Sequence, residues 1–319
     1  MMNTISIPAL LAVGLALVAI PAAASLAQPG GAPFTVAETG QGYGSLQQAL
    51  DAIGSGSATV MVAPGNYREC AVQDAGRVAI RAVEPGKAIF DGVACEGKAA
   101  FVLRGDSTFV EGIVFANLAV EDGNGAGIRM EGGKVTVSQS WFRDSQQGIL
   151  THADPAGRLM IDKSTFTGLG TCEGAGGCAH SIYAGELGEV VVTRTRFERG
   201  RGGHYLKSRA ARTDARDSSF DDAAGQGTNY MIDLPNGGTG AIEGNRFVQG
   251  RDKENYSAFI AVGAEGASFS SDGLRITGND ARFAPGVRRS SAFVADWTGD
   301  RLVIEGNTLG TGLKRLERR

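Results

Sequence analysis

A short phrase returns eight times along this chain: an apolar residue, a Ser, Thr, Asn or Ile three positions on, and a Phe or small aliphatic residue two further. It reads Val110–Ile113–Phe115, Val137–Ser140–Phe142, Ile161–Ser164–Phe166, Val192–Thr195–Phe197, Ala215–Ser218–Phe220, Ile242–Asn245–Phe247, Ile276–Asn279–Ala281 and Ile304–Asn307–Leu309. Successive first members lie 27, 24, 31, 23, 27, 34 and 28 residues apart. A period in this range is the mark of a solenoid, in which each repeat buries its apolar face only against its neighbours. Val135-Thr136-Val137 and Leu159-Met160-Ile161-Asp162 alternate apolar with polar, the period of a strand rather than a helix. The repeat therefore stacks strands. A Gly-rich sandwich also shows short alternating strands, but it gives no reason for a polar residue and a Phe to keep a fixed offset from repeat to repeat.

Residues 1–27 have the layout of a secretory signal peptide: no charge precedes Phe34, Ala9 to Ile20 is apolar, and small residues at Ala24 and Ala27 follow Pro21. No Lys or Arg stands ahead of the apolar run. The run is shorter than the ~20 residues of a spanning helix, so no stable membrane insertion is expected after cleavage. Residues 28–319 then form a single solenoid domain, expected as a monomer in the periplasm or outside the cell. Four cysteines in an exported chain suggest two disulfides. Cys70 and Cys95 are 25 residues apart, about one repeat, which would place them on neighbouring coils; Cys172 and Cys178 would pinch the loop Gly168–Ala179. Zinc held by Cys172, Cys178, His180 and His152 is the competing use, but the spacing lacks the compact pattern of zinc sites. No metal and no cofactor is expected.

The 48 glycines gather between the strand phrases, at Gly123–Gly127, Gly168–Gly177, Gly200–Gly203 and Gly237–Gly240, as corners of positive φ require. Formal net charge is only −3, which does not suit a nucleic-acid binder. Charge is nevertheless uneven: eight Lys and Arg stand between Arg194 and Arg216 against Glu198 and Asp214. Such a basic strip on a near-neutral chain favours an anionic ligand.

Near the start, Ser45 is a suitable N-cap, and Leu46, Ala49, Leu50 and Ile53 share one helical face. A short amphipathic helix here would close the open edge of a strand stack. A strand and a Pro64-Gly65 turn follow, in Ala58 to Glu69. This opening resembles that of right-handed parallel β-helix proteins of the pectate-lyase-like superfamily, in which a capping helix precedes a strand ending in Pro-Gly-x-Tyr. The phrases around Val135–Ile149, Val190–Gly200 and Ala241–Phe247 resemble the coil of that superfamily. The resemblance covers about Phe34 to Gly310. It implies an all-β, right-handed parallel β-helix with a short N-terminal capping helix. It leaves the reaction open, because lyases, hydrolases, esterases, epimerases and adhesins share the fold. Pectin methylesterases have the same opening but add acidic catalytic motifs that this chain lacks.

A second strand is expected beyond each Gly-rich turn, aligned on Ile128, Ile149, Ile182, Leu206, Ile232, Ile260 and Val294. With these pointing inward, residues one and three places later point out: Arg129 and Glu131, Leu150 and His152, Tyr183 and Gly185, Lys207 and Arg209, Asp233 and Pro235, Ala261 and Gly263, Ala295 and Trp297. Lys207 and Arg209 would stand about 7 Å apart on one exposed face. A neighbouring cation disfavours an ammonium and moves a lysine towards a general base, while Arg clamps a carboxylate. These are the parts that remove the proton beside a uronate carboxylate and expel the glycosidic oxygen, and they resemble the Lys/Arg equipment of β-helix polysaccharide lyases.

Tyr183, one coil before, can stack on a sugar or protonate the leaving oxygen. Asp233, one coil after, would pair with Lys207 and oppose a base role. His152 and Arg129 lie further along the same face. His180, His204 and Tyr230 precede their strands by two positions and line a corner or the groove; Tyr205 sits beside them. Lys253, Asn255 and Tyr256, in a polar turn, are candidates for a groove wall. Asp217, Asp221 and Asp222 do not converge as a calcium site would. The reading is an exported enzyme that cleaves an acidic polysaccharide by β-elimination. A non-catalytic protein binding an anionic glycan is the alternative. A glycoside hydrolase ranks lower, because Asp233 and Glu131 lie at least three coils apart and cannot face one another.

Overall fold

Each coil carries three strands rather than two. In the computed structural model, which describes Met1 and residues 31–173 and 177–319, they stack into one 12-stranded and two 10-stranded sheets. The leader assigned to residues 1–27 lies outside the described residues, Met1 apart. Ala32–Arg319 forms a single unit, a parallel β-solenoid of about 9 turns. Among the described residues no helix is long and apolar enough to cross a membrane.

The repeated phrase itself splits into two strands. Its first member lies on the first sheet, as in Lys134–Ser138, and its Phe on the second, as in Trp141–Arg143. Between them the residue two places after the first member always has positive φ: Gly112, Gln139, Lys163, Arg194, Asp217, Gly244, Gly278 and Gly306. One left-handed residue breaks the extended run and turns the chain onto the next sheet. Gly takes that position without penalty in four repeats; in the others a non-Gly residue is held there by the packing around it.

The polar third-position residue completes this corner. It is buried, and its backbone N–H points along the stack to the side chain of its counterpart in the next coil. Ser140 N donates to Ser164 Oγ at 3.3 Å, Thr195 N to Ser218 Oγ at 3.1 Å, Ser218 N to Asn245 Oδ1 at 2.9 Å and Asn245 N to Asn279 Oδ1 at 2.9 Å. Each hydroxyl donates in turn to the carbonyl two residues back. The asparagines instead reach a carbonyl of the preceding coil, as Asn279 Nδ2 does to Ile242 O at 2.9 Å. A buried N–H without a partner is costly, and this ladder pairs one per corner.

Two residues on, the Phe side chains stack face to face. Centroid spacings from Phe115 through Phe142, Phe166, Phe197, Phe220 to Phe247 run between 4.6 and 5.0 Å. Ala281 ends the column, and Phe293 from the third sheet packs edge-on against Phe247 instead. At about 25 cal/mol per Å² of buried apolar surface, each ring adds on the order of 2–3 kcal/mol to the core.

At the N-terminal end Ser45 caps the helix Leu46–Ile53 by accepting from Gln48 N, and Leu46, Ala49 and Leu50 are buried. Phe34–Val36 pairs antiparallel with both Gln41–Tyr43 and Ser57–Val62, so the edge of the first sheet is closed by a hairpin. Both expected disulfides are present. Cys70–Cys95 joins neighbouring coils, with Cα atoms 5.4 Å apart, and Cys172–Cys178 closes its loop.

The ladder makes a direct prediction. Replacing Asn279 by Ala removes the acceptor of Asn245 N and the donor to Ile242 O, stranding buried groups at about 1–3 kcal/mol each. Urea unfolding followed by circular dichroism should show a loss of roughly 2–4 kcal/mol. Asn279→Ser, which keeps an oxygen as the hydroxyls of four other corners do, should lose clearly less. Equal stability of both variants and wild type would mean that the ladder does not hold the corner.

Candidate functional site

The outward face of the third sheet follows the expected alignment. Arg129, Leu150, Tyr183, Lys207, Asp233, Ala261 and Ala295 form one row in register. The inward neighbours Ile128, Ile149, Ile182, Leu206, Ile232, Ile260 and Val294 are all at 0 % exposure, which fixes the parity. Lys207 is nevertheless buried rather than open, at 9 % exposure.

Glu265 covers it, arriving from the loop after the strand Ala258–Val262. Lys207 Nζ lies 2.6 Å from Glu265 Oε1 and 3.5 Å from Asp233 Oδ2. Arg209 donates through Nη2 to Glu265 Oε2, through Nη1 to Asn236 Oδ1, and through Nε to the Tyr183 hydroxyl at 2.9 Å. Asn236 donates onward to Glu186 Oε1 at 3.1 Å. One carboxylate therefore bridges Lys207 and Arg209, with the Tyr183 ring 5.7 Å from the Lys207 ammonium. Glu265, Asn236 and Glu186 were not expected from the sequence. The signal for Glu265 was the long 34-residue interval between Ile242 and Ile276.

Tyr183 separates two hollows. One, of about 600 Å³, is lined by Arg129, His152, Tyr183, Glu186 and Arg209. The other, of about 310 Å³, is lined by His180, Tyr183, His204, Lys207, Asn229 and Glu254. Arg129 Nε is buried without a hydrogen-bond partner among the described residues and lies 3.7 Å from Glu131 Oε1. Glu131 in turn is engaged by Lys98 and Arg104, at 2.8 Å each.

His180 and His204 belong to the second hollow. His180 Nδ1 accepts from His204 N at 3.0 Å, and the rings of His180, His204 and Tyr230 follow one another at 4.9 and 5.6 Å. Burial pushes His180 well below the ordinary histidine range, helped by its coupling to His204 and by the charge of Lys207. Burial, with Lys207 beside it, takes His204 down to about 3. The 3.4 Å approach of His204 Nε2 to Asp233 Oδ2 is thus a contact of neutral imidazole, not an ion pair. Asp233 is pushed up to about 6 by burial, against the pull of Lys207, and its Oδ1 has no partner. Burial also raises Glu265, but the hydrogen bonds from Lys207 and Arg209 outweigh it and hold that carboxyl below its ordinary value.

Other expectations are corrected. Tyr205 is not in the groove: it is 1 % exposed, and its hydroxyl donates to Asp222 Oδ1 at 2.8 Å inside the coil. It precedes the strand Leu206–Ser208, where the corner turns its ring inward and parity no longer applies. Lys253 is not a groove wall either. Its side chain is fully buried, 3.3 Å from Asp222 Oδ2 and 2.9 Å from Thr228 Oγ1. Asn255 donates to the Tyr230 hydroxyl at 2.9 Å, supporting the ring from behind. Tyr256 is exposed and lies under the Arg289 guanidinium, 4.8 Å away. The basic strip is no patch, because its residues wrap around the coil: Arg194 pairs with Asp162, Arg196 with Glu198, and Arg212 and Arg216 with Asp214. Lys207 and Arg209 are its members on the third-sheet face.

No protein-family model and no curated protein sequence matches the chain. Among solved structures it is similar to ORF18 of Geobacillus virus E2, with a TM-score of 0.46 at 13 % identity over 85 % of this chain. The chain spans 56 % of the length of that protein.

The buried titratable groups set opposing pH dependences. With its folded-state value near 3 against about 6.5 unfolded, His204 contributes stability that is complete above pH ~6.5 and lost as pH falls towards 3. Asp233, held near 6 against about 3.9 unfolded, contributes stability present below pH ~4 and lost as pH rises through 6. Between pH ~4 and 6, His204→Gln should flatten the fall of unfolding free energy with falling pH by about one proton, ~1.4 kcal/mol per pH unit. Asp233→Asn should steepen it by a similar amount. Urea titrations across that range decide, and an unchanged slope in Asp233→Asn would mean that its carboxyl is ionised throughout.

Proposed function

We propose that the outward face of the third sheet binds a carboxylate-bearing polysaccharide of the uronate type, with Lys207 and Arg209 as the seat of a sugar carboxylate. The observation that carries this is the grip on Glu265, one carboxylate held by an ammonium and a guanidinium at once. Charge-assisted pairs of this kind are the strong ones, and the planar guanidinium favours carboxylate. Three further features accord with it. Tyr183 offers a ring between the two hollows, Arg129 lines the larger one, and a solenoid face is long enough for an extended polymer. Two disulfides fit an extracellular location.

A second reading, cleavage of the bound polymer by β-elimination, is favoured by the meeting of Lys207, Arg209 and Tyr183 within one hydrogen-bonded group. Arg209 would hold the carboxylate and Lys207, in its neutral amine form, would take the proton from the carbon beside it. As the carbon–carbon double bond forms, the glycosidic C–O bond breaks and Tyr183 protonates the leaving oxygen. The resemblance to pectate-lyase-like proteins agrees with this chemistry. The present contacts of Lys207, an ion pair with Asp233 and Glu265, are those of an anion anchor, which is why binding is the primary reading. Hydrolysis has less support, because Asp233 is 2 % exposed and Glu131 is already spent on Lys98 and Arg104.

Calorimetric titration of the protein with oligomers of galacturonate, alginate and hyaluronate should find one that binds, and neutral glucans should not bind. Arg209→Ala should weaken that binding by about 10–100-fold, the value of one charged hydrogen-bonded contact. Elimination would add a new ultraviolet absorbance from unsaturated uronate, absent in Lys207→Ala. Failure of every acidic polymer to bind, to wild type and to Glu265→Ala alike, would sink the proposal.

A further inference from the structure

Glu265 is placed as a ligand would be rather than as a member of the sheet. Lys207 belongs to the strand Leu206–Ser208 and Arg209 follows it directly, whereas Glu265 stands 58 and 56 residues away, in a loop outside the strands. Its side chain is 45 % exposed, against 11 % for Lys207 and 22 % for Arg209, so the carboxylate lies across the cations from the solvent side. The cations do not depend on it for their positions. Lys207 keeps Asp233, and Arg209 keeps both the Tyr183 hydroxyl and Asn236 Oδ1. The seat is therefore complete without Glu265. The loop is tied close by through Glu265 N donating to Pro235 O at 3.1 Å, and Gly263 and Gly266, with φ of 76° and 103°, flank the residue.

Resting on the reading of this face as a uronate seat, we infer that Glu265 is a built-in competitor of the ligand, occupying the place of the sugar carboxylate and thereby setting affinity and specificity. A sugar without a carboxylate offers Lys207 and Arg209 nothing in exchange for Glu265. An acidic one replaces it charge for charge. The measured affinity is then the intrinsic affinity reduced by the fraction of molecules whose seat is open.

The experiment compares wild type, Glu265→Gln and Glu265→Ala by calorimetry with galacturonate oligomers and with their fully methyl-esterified counterparts, circular dichroism confirming that each variant is folded. The expected result is binding of the acid oligomers about tenfold or more tighter in both variants. Affinity for the esters should not change. If wild type binds the acid oligomers and the variants bind them equally or more weakly, Glu265 is part of the seat or a bystander, and this inference falls while the seat stands. If neither wild type nor variants bind these or the alginate and hyaluronate oligomers, the seat itself is refuted and the inference with it. Binding seen only in the variants supports both.

Discussion

A stack of parallel strands must turn the chain at every coil without leaving a buried N–H unpaired, and how this solenoid does so governs everything else in it. One left-handed residue makes the turn from the first sheet to the second, and the next residue pairs its N–H with a side-chain oxygen one coil further on. Nothing longer fits between them. The distance from the first-sheet apolar residue to the second-sheet Phe or aliphatic residue is therefore the same in all eight repeats. Every insertion is forced to the other two corners. Gly168–Ala179 lies between the second and third sheets, and the segment from Gly263 to Leu274 between the third and the first. Both border the third sheet, so the rigidity of one corner is what gathers variable chain, and the chemistry it carries, at a single face.

That face shows how polar groups are kept within a β-solenoid. Lys207, Asp233 and the two histidines sit in outward or corner positions, yet the loops above them remove most of their water. Charges so placed need partners, and the neutral histidines and the raised Asp233 are the cost of incomplete compensation. The fully buried Lys253–Asp222 pair beneath is the contrasting case. Asp222 also receives the Tyr205 and Thr228 hydroxyls and Gly250 N, so every oxygen is satisfied and the pair serves as a structural tie.

What was legible in the sequence follows the same division. Where periodicity acts alone, as in the fixed phrases and the row from Arg129 to Ala295, spacing and alternation were enough to place residues in register and on the correct face. Where the chain leaves the period they were not. Tyr205 precedes its strand, and a corner turns its ring into the core. Lys253 sits in a turn as polar as any solvated loop, and only the position of Asp222 shows that its ammonium is consumed inside. The basic run from Arg194 to Arg216 is contiguous in sequence but covers a full circuit of the coil, so its charges face three directions. Glu265 depends on the path of a loop, for which the sequence offers only the length of the interval containing it. The three-strand coil was hidden for a smaller reason: Gln139, Lys163 and Arg194 are not residues that advertise positive φ.

Near-neutral overall charge and an anion-binding face are compatible because of where the compensating acids stand. Arg196 is matched by Glu198 on its own strand, and Arg212 and Arg216 by Asp214 between them. Those acids lie on the same strand as the cations they neutralise, so the strand itself holds each pair close. Lys207 keeps Asp233 on the neighbouring strand, but the carboxylate that Lys207 and Arg209 share is carried on a loop between two residues of positive φ. Neutralisation from a strand is permanent, whereas neutralisation from a loop costs only the loop's own contacts to reverse. The pair that looks most quenched in the static structure is for that reason the pair best placed to exchange its carboxylate for another.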